Sequence, residues 1–360
     1  MARKIWARKV LAVAMLAIAA PHVRAQLPTP ATSTESTIVM PLEMVAGKPA
    51  TLAVLSPAGR VVPEVKLALS SGDIVTTDES GRAHFLAPPD VGIFLARIPG
   101  MEARAAADVT ARTDATHLEI RAPALASVKD RFNITGSGFQ GDADQNHVEL
   151  GDKPAFVLAA SPKELIILAS PETAPGNVEM VAEVGTQQVS TGMTLMDVSS
   201  DAIGEDVRPG RLGKFALHVR GTTQPVDLDV ENMSPGTARF KHGDRQHLRT
   251  SGGSDNSATI EIKGMRTGEV SYAVSLKPQP GIASVEVARD FLQVAYKLAK
   301  ADERSRINKV LMRLGPRRTD IAGARKEFAK IVTANSAGDF QALIRAAGEA
   351  LSGQQANAGN

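Results

Sequence analysis

The chain has 360 residues, with 41 Lys/Arg, 39 Asp/Glu, 30 glycines, 21 prolines and no cysteine. That length exceeds what one hydrophobic core usually serves, so more than one domain is expected. The missing cysteine excludes disulfides, thiolate metal sites, a cysteine nucleophile and a lipid-modified N-terminal cysteine, and each unit has to hold by apolar burial alone.

Arg3, Lys4, Arg8 and Lys9 precede an apolar run from Val10 to Ala20, and Val23-Arg24-Ala25 offers a small-residue cleavage site before Gln26. A basic start, a short apolar core and an A-x-A-like end mark a secretory signal peptide. The run is shorter than the about 20 apolar residues that a membrane helix needs. Cleavage between Ala25 and Gln26 is therefore expected, with an uncleaved anchor as the alternative. The expected location is secreted, periplasmic or at the cell surface. Of the 41 basic residues five lie in positions 1–25, which leaves 36 against 39 acidic ones, so the mature chain is slightly acidic. Its basic balance as a whole is thus no argument for nucleic-acid binding. Trp6, the one tryptophan, leaves with the signal, which argues against sugar-binding surfaces built on indole stacking. No later apolar run reaches membrane-spanning length.

Residues 26–38 are rich in Pro, Thr and Ser and read as an extended tether. From Met40 to Leu276 short alternating runs are punctuated by turn residues, as in Leu52-Ala53-Val54-Leu55 before Ser56-Pro57-Ala58-Gly59. Alternation with period two puts one face of each run on a core, and repeated short runs of this kind indicate sandwiches. The expected units are 39–121, 126–196 and 203–277, with the polar run Asp197–Asp201 as the second boundary. In the third, Phe215/Leu217/Val219, Val226/Leu228/Val230, Ile260/Ile262 and Val270/Tyr272/Val274 are the inward positions.

After Ile282 the period becomes 3.6 residues. Val287, Phe291, Val294, Ala295 and Leu298 share one face, and Ile307, Val310, Leu311 and Leu314 another. Gly315-Pro316 breaks the chain, and Thr319 or Asp320 can cap a helix carrying Ile321, Ala324, Phe328 and Ile331. Ser336 and Asp339 suit the start of a last helix with Phe340, Leu343, Ile344, Ala347 and Leu351 inward. Together these predict a small helical bundle over 282–353. The fold class is therefore mainly β, tandem immunoglobulin-like sandwiches followed by a C-terminal α-helical bundle.

One unit carries a sharper resemblance. Phe132-Asn133-Ile134-Thr135-Gly136-Ser137-Gly138-Phe139, Val148-Glu149-Leu150-Gly151, Pro171 and Val178-Glu179-Met180-Val181 resemble the IPT/TIG family, whose fold is immunoglobulin-like. In that resemblance Phe139 fills the end of the sandwich and Gly151-Asp152 turns a hairpin. The first unit, with Thr77-Asp78-Glu79-Ser80-Gly81-Arg82-Ala83-His84-Phe85, is similar to bacterial Ig-like and carboxypeptidase-regulatory-like sandwiches. These families are mostly non-catalytic spacers, ligand-binding modules and adhesion units, which is what the resemblance implies here; fold alone does not decide function.

A search for chemistry finds no G-x-S-x-G elbow, H-E-x-x-H helix, P-loop or dinucleotide fingerprint. His242 and His247 are close in sequence, but zinc needs three or four ligands in fixed geometry. Asp142, Asp144 and Asn146 alternate as calcium ligands sometimes do, without the later bidentate carboxylate. Asp229 and Glu231 read as solvent-facing charge on a strand. Asn133 and Asn232 sit in N-x-S/T sequons, which carry no further argument. No metal, cofactor or catalytic residue is assigned. One electrostatic feature stands out: residues 297–330 hold eleven Lys/Arg, Arg313, Arg317, Arg318 and Arg325 among them, against four Asp/Glu. Two readings stand, a patch for an anionic polymer or lipid surface and a solvated helix face. No aromatic residues interleave for nucleic-acid stacking.

The expected function is that of an exported, non-enzymatic protein that binds an extracellular polymer or an envelope partner through its sandwich modules. A purely structural spacer or assembly component is the alternative. An enzyme with its site in the helical region is the third class.

Overall fold

Strands of three to fourteen residues follow one another between Thr37 and Leu276, and four helices lie between Val285 and Ser352, in a computed structural model that describes residues 36–112, 117–201, 209–268, 270–276, 284–315, 319–331 and 338–352. The expected cleavage site and tether, apart from residues 36–38, lie outside the described residues, as do Arg317, Arg318 and Ser336.

In the first unit a five-stranded sheet runs in the order Glu43–Val45, Arg104–Thr110, Gly92–Arg97, Lys66–Leu69, Ile74–Thr76. Facing it are Thr37–Val39, Pro49–Leu55 and Arg82–Leu86, which pair through Pro49–Leu55. Alternate side chains of the two layers, Leu52, Val54, Leu67, Phe94 and Ala107 among them, form one core, and the Phe85 and Phe94 rings stack at 5.3 Å. The second unit closes Phe132, Ile134, Phe139, Leu150, Leu165, Ile167, Met180 and Leu195 into a core of its own. The third packs Phe215, Leu217, Val219, Leu228, Val230, Ile260, Ile262 and Tyr272, the inward positions read from alternation.

The joints between units are not loops. Strand Gln187–Ser200 pairs with Gly176–Val184 in the second unit and, from Asp197 to Ser200, with Leu212–Arg220 in the third. The polar run at 197–200 is thus the shared strand carrying on, and its one charged side chain, Asp197, takes ion pairs instead of solvent. Asp197 is buried and bound by Arg220 and by Lys129 at 2.5 Å. Between the first two units Ala160 pairs with Thr51, and Val39, Ala53 and Leu55 pack on Leu158, Ala159 and Ile166. Each large side chain buried there contributes roughly 1.5–3 kcal/mol, which makes this contact a small core and not a hinge.

The helices are α1 (Val285–Leu298), α2 (Ala301–Arg313), α3 (Ile321–Phe328) and α4 (Asp339–Ser352). Asp320 caps α3 by accepting from Gly323 N–H at 2.8 Å, and the Lys300 N–H at the start of α2 donates to Glu303 at 3.0 Å. Val287, Phe291, Ala295, Ile307, Val310, Ala324, Phe328, Leu343 and Leu351 meet inside, as their spacing requires. Leu298 does not: it is 55% exposed at the last turn of α1, where the preceding turns have already filled the inner face. Sequence order places the bundle at the far end of three modules. The structure puts it instead on the first unit, where Ala106, Leu42, Ile93 and Leu95 join its core and Arg104 pairs with Asp339 at 2.5 Å.

Candidate functional site

Among the described residues, chemistry-bearing side chains come together at the joint between the first and second units and in the groove between the second and third.

At the first, the Thr51 hydroxyl is fully buried and donates to the Gly141 carbonyl at 2.7 Å, while Ala143 N–H donates to it at 3.2 Å. Its single hydrogen is therefore spent on Gly141, and His84 Nδ1 lies 3.0 Å away. The ligand atoms of His84, Asp142 and Asp144 all lie within 4.8 Å of one another. The arrangement favours an internal cation over a metal. Arg82, almost wholly buried, donates to Asp144 at 2.6 Å and to the Val157 carbonyl at 3.2 Å, and lies over the Phe156 ring at 5.1 Å. The Asp142 side chain caps a short 3-10 turn by accepting from Asp144 N–H. Asn146, the third of the alternating oxygen residues, is buried and holds the loop through Gln140 N–H, Gln140 O and Asp142 O at 2.8–2.9 Å. Each of these side chains thus has a partner within the protein, a use that the sequence alone could not separate from ligation.

The other sequence candidates are dispersed. Asp227, Asp229 and Glu231 face Arg249, His247 and Arg245 across one antiparallel register, with Asp229 2.9 Å from His247 and Glu231 2.7 Å from Arg245. They are cross-strand pairs on a solvent face, and His242 stands exposed apart from them. Within the basic helices Arg313 pairs with Asp320 at 2.8 Å. Arg325 donates to the Leu351 and Ser352 carbonyls at 2.8 and 3.0 Å, and Arg306 donates to the Lys330 carbonyl at 2.9 Å. Arg325 thereby satisfies the carbonyls that the end of α4 leaves open, so its first task lies inside the bundle.

Sequence reading gave no sign of the second place. A shallow groove of about 550 Å³ lies where the second and third units meet, lined by Asn177, Thr194, Arg220, Thr223, Gln224 and Ser254. Its floor depends on Gly221, which has φ +95°; a Cβ there would sit 2.2 Å from the Leu195 carbonyl oxygen. Thr194 donates to Asn177 at 2.8 Å, and Arg220 is anchored by Asp197. Beside Val219 and two glycines the lining offers hydroxyl, amide and guanidinium groups, without an aromatic ring or a carboxylate. It carries no acid–base pair or nucleophile with its base.

No protein-family model matches the chain, and no curated protein matches it. Solved structures similar to it include a Bacteroides ovatus mixed-linkage glucan utilization protein, SGBP-B, in complex with a heptasaccharide, at 14% identity over 65% of this chain and 70% of that one, TM-score 0.27. Domains 1–6 of the surface-layer protein SbsC share 13% identity over 70% of this chain and 39% of that one, TM-score 0.17. The N-terminal four Ig domains of Dscam1 share 13% over 65% and 73%, TM-score 0.22. The chain is mainly β, a series of packed sheets with a helical C-terminal part. Among the described residues no helix is long and apolar enough to cross a membrane.

Proposed function

We propose that this chain is an exported, non-catalytic protein that binds a polar polymer or an envelope partner through its sandwich modules, and that its second unit is of the IPT/TIG kind. The observation that carries the reading is the groove between the second and third units, whose hydroxyl, amide and guanidinium lining suits a neutral, hydroxyl-rich chain. Support for the IPT/TIG assignment comes from Gly138 at φ +83° and from Phe139 buried at the end of the core, the two positions that the motif requires. The basic stretch 297–330, with Arg313, Arg317, Arg318 and Arg325, is retained as a second contact for an anionic surface.

A purely structural reading draws on a different observation. A strand shared by the second and third units and an apolar joint between the first and second give a stiff assembly, which suits a spacer. The two readings part in one experiment. Mature protein is passed over immobilised neutral and acidic envelope polysaccharides, alongside a Thr223→Arg, Ser254→Arg variant that fills the exposed groove without touching a core. Binding that is lost in the variant, at an unchanged melting temperature, supports the groove. Wild-type protein that is retained on no polymer leaves the spacer.

A further inference from the structure

One sheet of the third unit has Asp227–Asn232 at its centre, Arg245–Arg249 on one side and Tyr272–Leu276 on the other. The ladder fixes which way each backbone group of the last strand points. Asn232 N–H donates to the Asp244 carbonyl at 2.7 Å on one side, and Met233 N–H donates to the Ser271 carbonyl at 3.0 Å on the other. Bonding direction alternates along an antiparallel strand, so the odd-numbered residues of the central strand bond to Tyr272–Leu276. Their partners in the register are Ala273, opposite Glu231, and Ser275, opposite Asp229. Tyr272, Val274 and Leu276 therefore turn N–H and C=O away from the sheet. Among the described residues none of these groups has a backbone partner, and no strand lies beyond them. Ser284, eight residues after Leu276, already contacts Glu43 of the first unit at 3.3 Å, and Pro278 and Pro280 in between have no N–H to give to a ladder.

The edge also lacks the devices that keep strand edges apart. Its residues, Tyr-Ala-Val-Ser-Leu, include no charge and no proline. The opposite edge carries Arg245 and Arg249, and the edge strand Ala238–Phe240 of the facing sheet carries Arg239. Two copies pairing antiparallel at either of those would set arginine against arginine, and like charges directly opposite are destabilising. At Tyr272–Leu276 nothing repels. Tyr272 is buried in the core of the unit, Val274 and Leu276 are half-buried against it, and Ser275 is exposed on the outer face.

We propose that Tyr272–Leu276 is a docking edge for a second copy of this chain, the two strands pairing antiparallel about Val274 so that two third units share one sheet. In that register Val274 lies opposite Val274 of the second copy and Tyr272 opposite Leu276 of the second copy. Every outward N–H then meets a C=O, and every outward C=O an N–H. An incoming strand has to be uncharged, and apolar at alternate positions, to continue the half-buried inner face; Tyr272–Leu276 itself meets both demands. The contact is its own mate under a two-fold axis, so it closes as a dimer and does not run on into a fibre. Five paired residues bury less than the about 1,200–2,000 Å² of a standard interface, so the association is reversible and concentration-dependent. It does not depend on the groove between the second and third units.

Sedimentation equilibrium of the full mature chain, from dilute to near-millimolar concentration, is expected to show a monomer–dimer equilibrium. Val274→Pro removes an outward N–H that no bond inside the unit uses and is expected to abolish the dimer. A second measurement does not rely on the folding of that variant. Since the chain has no cysteine, Ala273→Cys and Ser275→Cys are made singly and mixed under mild oxidation. The proposed register puts these two positions opposite each other as a non-hydrogen-bonded pair, with a Cα spacing of about 4.5 Å that a disulfide can span. The mixture is expected to give a disulfide-linked dimer, and each variant alone little of it. A wild-type chain that stays monomeric throughout, or cross-linking as strong in the single-variant controls as in the mixture, overturns the proposal. So does a monomer that takes up an unrelated uncharged strand-forming peptide and loses it in Val274→Pro, which would assign the edge to a foreign strand.

Discussion

Gly141 lies so close to Pro49 that a Cβ on the glycine would stand 1.7 Å from the proline carbonyl oxygen. The contact joins the loop after the Gly138-Phe139 turn to strand Pro49–Leu55 of the neighbouring unit, beside the Thr51–Gly141 hydrogen bond. A methyl group cannot enter against backbone on both sides, so Gly141→Ala has to spread the two units. The expected loss is about 1–3 kcal/mol, read as a lowered denaturant midpoint. Gly192→Ala is the internal comparison: nothing lies within 4 Å of its added Cβ, and its midpoint should not fall.

Phe139 is 3% exposed and belongs to the core of the second unit. Phe139→Ala removes a buried ring and leaves a cavity, with an expected cost of about 3–5 kcal/mol. Denaturant unfolding of the full chain measures it. An unchanged midpoint would mean that the aromatic is not what closes the sandwich, and with it would go the motif on which the IPT/TIG resemblance rests.

How the chain was readable follows from which signals are periodic. Phe215, Leu217 and Val219, or Ile307, Val310 and Leu314, announce their faces because burial repeats at 2.0 or 3.6 residues, and the structure buries them. The polar run at 197–200 misled because Asp197 looks like loop chemistry; nothing local shows that Lys129 and Arg220 come from elsewhere to neutralise it. Docking of the bundle on the first unit was equally hidden, since Ala106, Ile93 and Leu95 lie far from the helices in sequence and alternate like any other strand residues. The groove was invisible for the same reason: Asn177, Thr194 and Gln224 are unremarkable until a pair of strands and two connections of the next unit converge.

Export is tested at the N-terminus. Arg3 to Ala25 has the layout of a signal that is removed, so protein recovered outside the cytoplasm is expected to begin at Gln26 on N-terminal sequencing. An intact Met1 chain confined to the soluble cytosol would take away the compartment in which an extracellular partner could be met.

The basic helices divide into residues that hold the bundle and residues free to meet a partner, and the two should separate by mutation. Arg325 satisfies the Leu351 and Ser352 carbonyls, so Arg325→Glu should lower the melting temperature whatever the partner. Arg313 is 54% exposed on its side chain and pairs with Asp320 on the surface, a kind of pair that contributes little to stability; Arg313→Glu should leave melting nearly unchanged. If the stretch meets an anionic surface, the full mature chain should be retained on anionic vesicles or an acidic polymer, with retention falling as salt shortens the screening length to about 8 Å at physiological ionic strength. Arg313→Glu should then weaken that retention at constant stability. The full chain is the right material, because a separated bundle would expose the apolar face that covers Ala106, Ile93 and Leu95 and would stick for reasons unrelated to charge. Wild-type protein that shows no salt-sensitive retention would leave these cations the single task of keeping a helix face in water.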